Sequence, residues 1–479
     1  MPGVVDASKG QVETGKSDGL GRLLHVPEAV QRSAGLIAGL DRCLLVGFGR
    51  LAVEQNQALD ALNRVMAGTP LGDELSKALA ALRANEFQPR HFAVLAAARA
   101  AIQGARYDAL LAQAREALGR TVDDEAPVPK TDGNGDDQAT VLCESARHWL
   151  MELAITGFKQ LDAASLAPFS ATLENLQERV ELGRLASLLT GFQEELLAAL
   201  PIGHGSAIPV YRWADLWSAG MVSSLQAERG TYTPKVIGKV SGTFSVLGVD
   251  LRQHGSFVSA VVYGLFATER EPARIVRVTL SSYKVDALQG RELWRCFAGG
   301  KSNLPLLRAI GGHVPLKLTD MTLLASGDLL WDGSASEAGT RPVDVFVLAG
   351  RCLAAGGQMR FPTVPPAERH PVQLAELIVL ADKTPLPIAV DRLGGTTELT
   401  PEDVKAADAV IGLLRFDGGR WMVQPLAVMP GATREKKAFA SAYVGSDAYE
   451  VATKKPKKGE PNTLAVLRER AGRLLRKKA

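Results

Sequence analysis

Residues 410–429 read VIGLLRFDGGRWMVQPLAVM. Two apolar runs, 410–416 and 421–429, flank Asp417-Gly418-Gly419-Arg420, and an Asp-Gly step supplies the positive φ angles that a tight hairpin turn requires. A hairpin here marks the surrounding chain as β structure, and the same grammar extends upstream. Residues 274–281, RIVRVTLS, set Val276, Val278 and Leu280 on one side and Arg277 and Thr279 on the other, the period of two of a half-buried strand. Residues 240–247, 257–267, 314–318, 343–348, 377–380 and 387–390 also read as strands. A second hairpin is expected to join 329–331 to 343–348 through a Gly/Ser loop. Thr400-Pro401-Glu402-Asp403 has the cap, N1 proline and first-turn acids of a helix start.

Before residue 234 the grammar is helical. From Pro27 onward Ala, Leu, Glu, Gln and Arg dominate, all strong helix formers. In residues 50–66, Leu51, Leu59, Leu62, Val65 and Met66 fall broadly on one face, and Gly68, Thr69 and Pro70 stop the helix. Further helices are predicted over 71–83, 91–102 and 107–118, with connectors short enough for an antiparallel bundle. Residues 121–138, TVDDEAPVPKTDGNGDDQ, form an acidic Pro/Gly linker. Helix resumes at Ala139, with a long segment over 170–200 bent at Gly183 and Gly191 and ended by Pro201, then an aromatic helix over 211–225. No regular repeat of 20–50 residues is visible.

The pattern predicts an α+β multidomain chain. Residues 1–20 are a flexible tail, 21–120 a helical bundle, 121–138 the linker and 139–228 a second helical unit. Residues 229–450 are an antiparallel β-rich domain of sandwich or barrel type, and 451–479 a basic tail. The chain of 479 residues carries a net charge of +3, but ten basic and two acidic residues fall in 451–479, so the remainder is mildly acidic. Cys43, Cys143, Cys296 and Cys352 are isolated in sequence, which argues against a metal site or a disulfide framework and reads as buried thiols. The first twenty residues lack the apolar core of a secretory signal, and no apolar run reaches the ~18 residues needed to span a bilayer. The expected location is the cytoplasm, and no transmembrane segment or cofactor is expected.

Gly47-Phe48-Gly49-Arg50-Leu51-Ala52 has the GxGxxA form of a dinucleotide-binding turn, but no second strand ending in an acid follows it, so the preferred reading is a helix–helix turn. No GxxxxGK, GxSxG or HExxH pattern is present, and the seven histidines are scattered. Asp328, Asp332 and Asp344 could gather carboxylates across the second hairpin, but Asp328 and Asp332 sit beside glycines at ordinary turn positions. His204, in a glycine loop, reads as part of a connector. Tyr211-Arg212-Trp213, Trp294-Arg295-Cys296-Phe297 and Arg415-Phe416 have the composition of stacking platforms, although core anchors fit them better.

The basic tail is the most distinctive element. Lys454, Lys455, Lys457 and Lys458 cluster around Pro456. Asn462-Thr463 can cap a helix over 464–478, with Leu464, Leu467, Ala471, Leu474 and Leu475 as one stripe among Arg468, Arg470, Arg473, Arg476, Lys477 and Lys478. Such an element can dock in a partner's groove, bind nucleic-acid phosphates, lie on an anionic membrane or merely solubilise a terminus. The leading expectation is a non-enzymatic interaction or assembly protein that docks another protein through the helical units and this helix. The first alternative is a nucleic-acid-binding protein using the β-rich domain and the tail. The second is an enzyme whose catalytic groups converge from distant positions in the β-rich half.

Overall fold

A computed structural model of the chain describes residues 17–119, 137–202, 209–228, 236–254, 257–268, 273–284, 288–299, 301–324, 327–333, 337–354, 376–381, 385–393, 399–430 and 442–453. The N-terminal part is helical: α1 (Ser17–Leu20), α2 (Glu28–Val46), α3 (Val53–Met66), α4 (Gly72–Arg83) and α5 (Pro89–Ala117), followed by α6 (Asp137–Thr156), α7 (Ala163–Leu166), α8 (Ser170–Gln177), α9 (Gly183–Ala199) and α10 (Val210–Glu228). The two helices expected over 91–102 and 107–118 are one. α5 is buried along most of its length, so packing overrides the weak helix propensity of Gly104. The segment 170–200 is instead broken between α8 and α9 by a short 3₁₀ turn at Val180–Leu182. Leu182 is buried there, and its apolar contact fixes the break.

The helical part repeats itself. α2 ends at Gly47-Phe48-Gly49-Arg50-Leu51, and α6 ends at Gly157-Phe158-Lys159-Gln160-Leu161. Each glycine has a positive φ, 99° and 84°, and each opens a 3₁₀ turn, Phe48–Arg50 and Phe158–Gln160. The two turns meet back to back. A Cβ on Gly157 would fall 2.4 Å from the nitrogen of Gly47, and one on Gly47 would fall 2.5 Å from the carbonyl oxygen of Thr156. Phe48 packs edge-on to Phe92 of α5 at 5.3 Å, and Phe158 edge-on to Trp213 of α10 at 6.2 Å. α2 packs on α5 as α6 packs on α10, and α4 on α5 as α9 on α10. A single apolar core joins the two halves. The repeat is about 110 residues long by the spacing of Gly47 and Gly157, beyond the window in which solenoid periods are sought. The GxGxxA sequence is therefore one arm of a helix–helix turn, as preferred.

The β-rich part opens with β1 (Val236–His254), β2 (Phe257–Ala267) and β3 (Arg274–Tyr283). After α11 (Leu304–Gly312) come β4 (Leu316–Leu324), β5 (Asp328–Leu330) and the short β6 (Glu337–Ala338). β1 pairs antiparallel with both β2 and β4, β2 with β3, and β5 antiparallel with β4 and parallel with β3. The order β1-β2-β3-β5-β4 thus closes on itself into a five-stranded barrel, with one parallel pair among antiparallel ones. Phe244, Val262, Val278, Leu316, Met321 and Leu329 fill its interior. This strand order, with a helix between the third and fourth strands, is that of the five-stranded Greek-key barrel called the OB-fold. The likeness is one of connectivity and carries no function by itself.

A second sheet follows, built from β7 (Glu376–Ala381), β8 (Ala407–Asp417), β9 (Arg420–Pro430) and β10 (Ala442–Tyr443), in the order β10-β9-β8-β7. β8 and β9 form the expected hairpin. Gly418 and Gly419 occupy its turn at φ 56° and 77°. α13 (Pro401–Lys405) is capped as read, with Thr400 and Asp403 bonded reciprocally. Two strand readings are corrected. Residues 343–348 are not a strand or half of a hairpin, because α12 (Val345–Ala354) starts there. The Asp344 carboxylate accepts from the N–H groups of Phe346 and Val347 and turns a short apolar run into a capped helix. Residues 387–390 form only an isolated bridge, Ile388 to Val423, before a 3₁₀ turn. α14 (Ala448–Thr453) ends the described chain.

The helical and β parts share apolar contact. Tyr107, Leu110 and Leu111 of α5 belong to the same core as Phe416 and Trp421 of the β8–β9 hairpin, and the Trp421 indole N–H donates to the Gln113 side chain at 3.0 Å.

Candidate functional site

The outward face of β1, β2 and β3 is the side of the barrel that meets the second sheet. Cross-strand register orders this face into rows: Ile275 with Leu265, Arg277 with Tyr263 and Gly248, Thr279 with Val261 and Asp250, Ser281 with Ser259 and Arg252, and Tyr283 with Phe257. The rows have three fates.

The lowest is sealed. Leu247, Val261, Tyr263, Leu265 and Ile275 pack against α12 and against Ile411, Leu413 and Leu426 of the second sheet. Gly248 permits the close approach. A Cβ there would lie 2.5 Å from the Cβ of Leu426, so a side chain would wedge the sheet off the barrel.

Above the apolar seal lies a polar seam. Asp250 is buried and takes Arg252 at 2.7 Å and the Gln424 amide at 2.8 Å. Burial pushes its carboxyl up, but Arg252 and the hydrogen bond from Gln424 outweigh it and hold the pKa below the ordinary value. The Gln424 carbonyl accepts from Arg415, which is only 4% exposed. Burial, then the neighbouring Arg392, then Arg252 weigh against the Arg415 charge, while Asp250 and Asp417 offset part of this. Arg392 reaches Asp417 at 3.5 Å, and Arg277 reaches Asp328 at 2.8 Å. The Tyr263 hydroxyl is buried beside Arg252, and its O–H finds no acceptor among the described residues; burial raises its pKa.

The top of the face is open. Phe257 and Tyr283 stand edge to face with ring centroids 5.7 Å apart, and Tyr283 is 83% exposed. Thr279 and Ser281 are exposed below them, and the Ser281 hydroxyl reaches Ser259 at 3.5 Å. Sequence reading passed over this aromatic pair, because the two residues are distant in the chain and only the β2–β3 register brings them together. The paired ends of two apolar strands were the available signal.

Other charged groups sit elsewhere. In the helical part Arg99, 1% exposed, has five N–H donors and five acceptors: both Asp41 oxygens, Asp215, Ser218 and the Tyr211 carbonyl. Burial disfavours its charge, and Asp215 and Asp41 more than restore it. This cluster ties α2, α5 and α10 together and leaves the guanidinium no free donor. Asp328 pairs with Arg277 and Asp344 caps α12, so the carboxylates considered together from sequence hold separate posts. Trp213, Trp294, Phe297 and Phe416 are buried, as core anchors should be. None of the four cysteines is in a disulfide; Cys43, Cys143 and Cys352 are buried, and burial pushes the Cys43 thiol up to about 12. Among the described residues no group of three His, Cys, Asp or Glu is placed to hold a metal ion, and no helix is long and apolar enough to cross a membrane. The tail residues Lys454, Lys455, Lys457, Lys458, Leu467, Arg468, Arg473, Leu474, Arg476 and Lys477 lie outside the described residues, as does His204.

Comparison of the chain with protein-family models, with curated proteins and with solved structures gives no match.

Proposed function

We propose that this chain is a non-enzymatic interaction or assembly protein, and that it docks another protein through the open top of the barrel face and the basic C-terminal segment. The observation that carries the reading is the Phe257–Tyr283 pair. Two apposed aromatic rings, one almost wholly exposed, form an anchor of the kind that dominates interface energies. The lower face supports the same reading, since the chain's own second sheet already occupies it. The tail adds a leucine stripe with Leu467 and Leu474 for contact, and cations for encounter.

A second reading, nucleic-acid binding, draws on the strand order and on Arg252 one row below the aromatic pair, since cations beside aromatics suit single strands. One comparison separates the two. Wild type, Phe257→Ser with Tyr283→Ser, Leu467→Asp with Leu474→Asp, and a fourfold Lys→Gln change at Lys454, Lys455, Lys457 and Lys458 are each cross-linked in cell extract and tested for protein and nucleic-acid retention. The expected result is a stoichiometric protein partner, lost in the aromatic and leucine variants and captured more slowly by the lysine variant. Salt-sensitive nucleic-acid retention that needs the lysines and ignores the leucines defeats the docking reading.

A further inference from the structure

Arg415 is the most deeply placed cation of the polar seam, and among the described residues its hydrogen-bond partner is the neutral Gln424 amide. A buried guanidinium is ordinarily matched by a carboxylate in direct contact, as Arg99 is in the helical part. Here Asp250 is spent on Arg252 and Gln424, and Asp417 on Arg392. The Tyr263 O–H, also buried, has no acceptor among the described residues. Arg252 and Arg392 each keep about two-fifths of their side chain in solvent, so the seam is not closed off. An arginine short of an anion and a hydroxyl short of an acceptor share one need, and two half-exposed arginines stand at the rim.

We infer that the seam between the barrel face and the second sheet binds a small oxyanion, held by Arg415 and the Tyr263 hydroxyl and admitted past Arg252 and Arg392. Phosphate and carboxylate offer the same oxygen acceptors to such donors. The site is separate from the aromatic pair and does not rest on the docking reading.

Thermal unfolding of the full chain in inorganic phosphate, in acetate and in chloride, all at matched ionic strength, tests the inference. Phosphate or acetate is expected to raise the midpoint of wild type by about 2–4 °C over chloride, and the stronger of the two names the ligand class. Arg415→Met is expected to abolish the difference. If that variant does not fold, Tyr263→Phe and the half-exposed Arg392→Gln serve in its place, each expected to weaken apparent affinity about fivefold for one lost hydrogen bond. A response to neither oxyanion in wild type, or one undiminished in Tyr263→Phe and Arg392→Gln, overturns the site.

Discussion

His313 closes α11 in the left-handed region, at φ 49°, with its imidazole buried. Burial draws its pKa from 6.5 down to about 4, against a backbone hydrogen bond at Val246. The unfolded chain therefore takes up a proton near pH 6.5 that the folded chain refuses until about pH 4. The stability this residue permits is complete above pH 6.5 and falls away between those limits, by about 3 kcal/mol at most. His313→Asn, which tolerates positive φ and does not titrate, should flatten that part of the acid limb in urea titrations run from pH 7 to 4. An unchanged slope would mean the imidazole is protonated in the fold. Arg99 is the other decisive single residue. Arg99→Met strands Asp41 and Asp215 and should cost about 3–5 kcal/mol in urea unfolding. Replacing all three with apolar residues should recover much of the loss, since the desolvated charges leave together. No recovery in the triple variant would show that the cluster stabilises beyond its own charge balance.

At the scale of elements, the glycine turns offer a graded test. Gly157→Ala meets backbone at 2.4 Å and a φ of 84°, and should cost about 3 kcal/mol or more. Gly68→Ala has a similar φ, 79°, and nothing within 4 Å, so only the strain of about 1 kcal/mol applies. Gly49→Ala has neither problem and should stay within about 1 kcal/mol. Equal costs at Gly157 and Gly68 would mean that the turns do not press on one another. Local chemistry was legible wherever neighbours in the chain decide it: the Asp417–Arg420 turn, the Thr400 cap, the strand at 274–281. It misled where a side chain two positions away changed the outcome, as Asp344 did for 345–348. Arg415 looked like half of an aromatic platform. Only its facing partners Gln424 and Asp250, the latter 165 positions earlier in the numbering, show it to be a buried cation. The tail positions that sequence reading favoured lie outside the described residues, so that part of the reading stands on composition.

For the whole molecule, the acidic linker of 121–138, whose last two residues open α6, is the expected first cut in limited proteolysis, by its composition. The core running across α2, α5, α6 and α10 predicts that the nicked pieces stay together through gel filtration and separate only in denaturant. Pieces that part in native buffer would show that each helical half folds alone. The likeness of those halves has a further consequence. In a symmetric pair of identical chains every change of residue is made twice, and a charge placed near the axis meets its own copy. Within one chain it is made once. Six residues before Gly47 stands Asp41, and six before Gly157 stands Met151; seven after Phe92 stands Arg99, and seven after Trp213 stands Gly220. The first half supplies Asp41 and Arg99 to a buried ion cluster that Asp215 of α10 completes, where the matching positions of the second half carry a thioether and a bare backbone. Carrying both halves on one chain lets a single interior hold two different solutions, one polar and one apolar, behind similar turns.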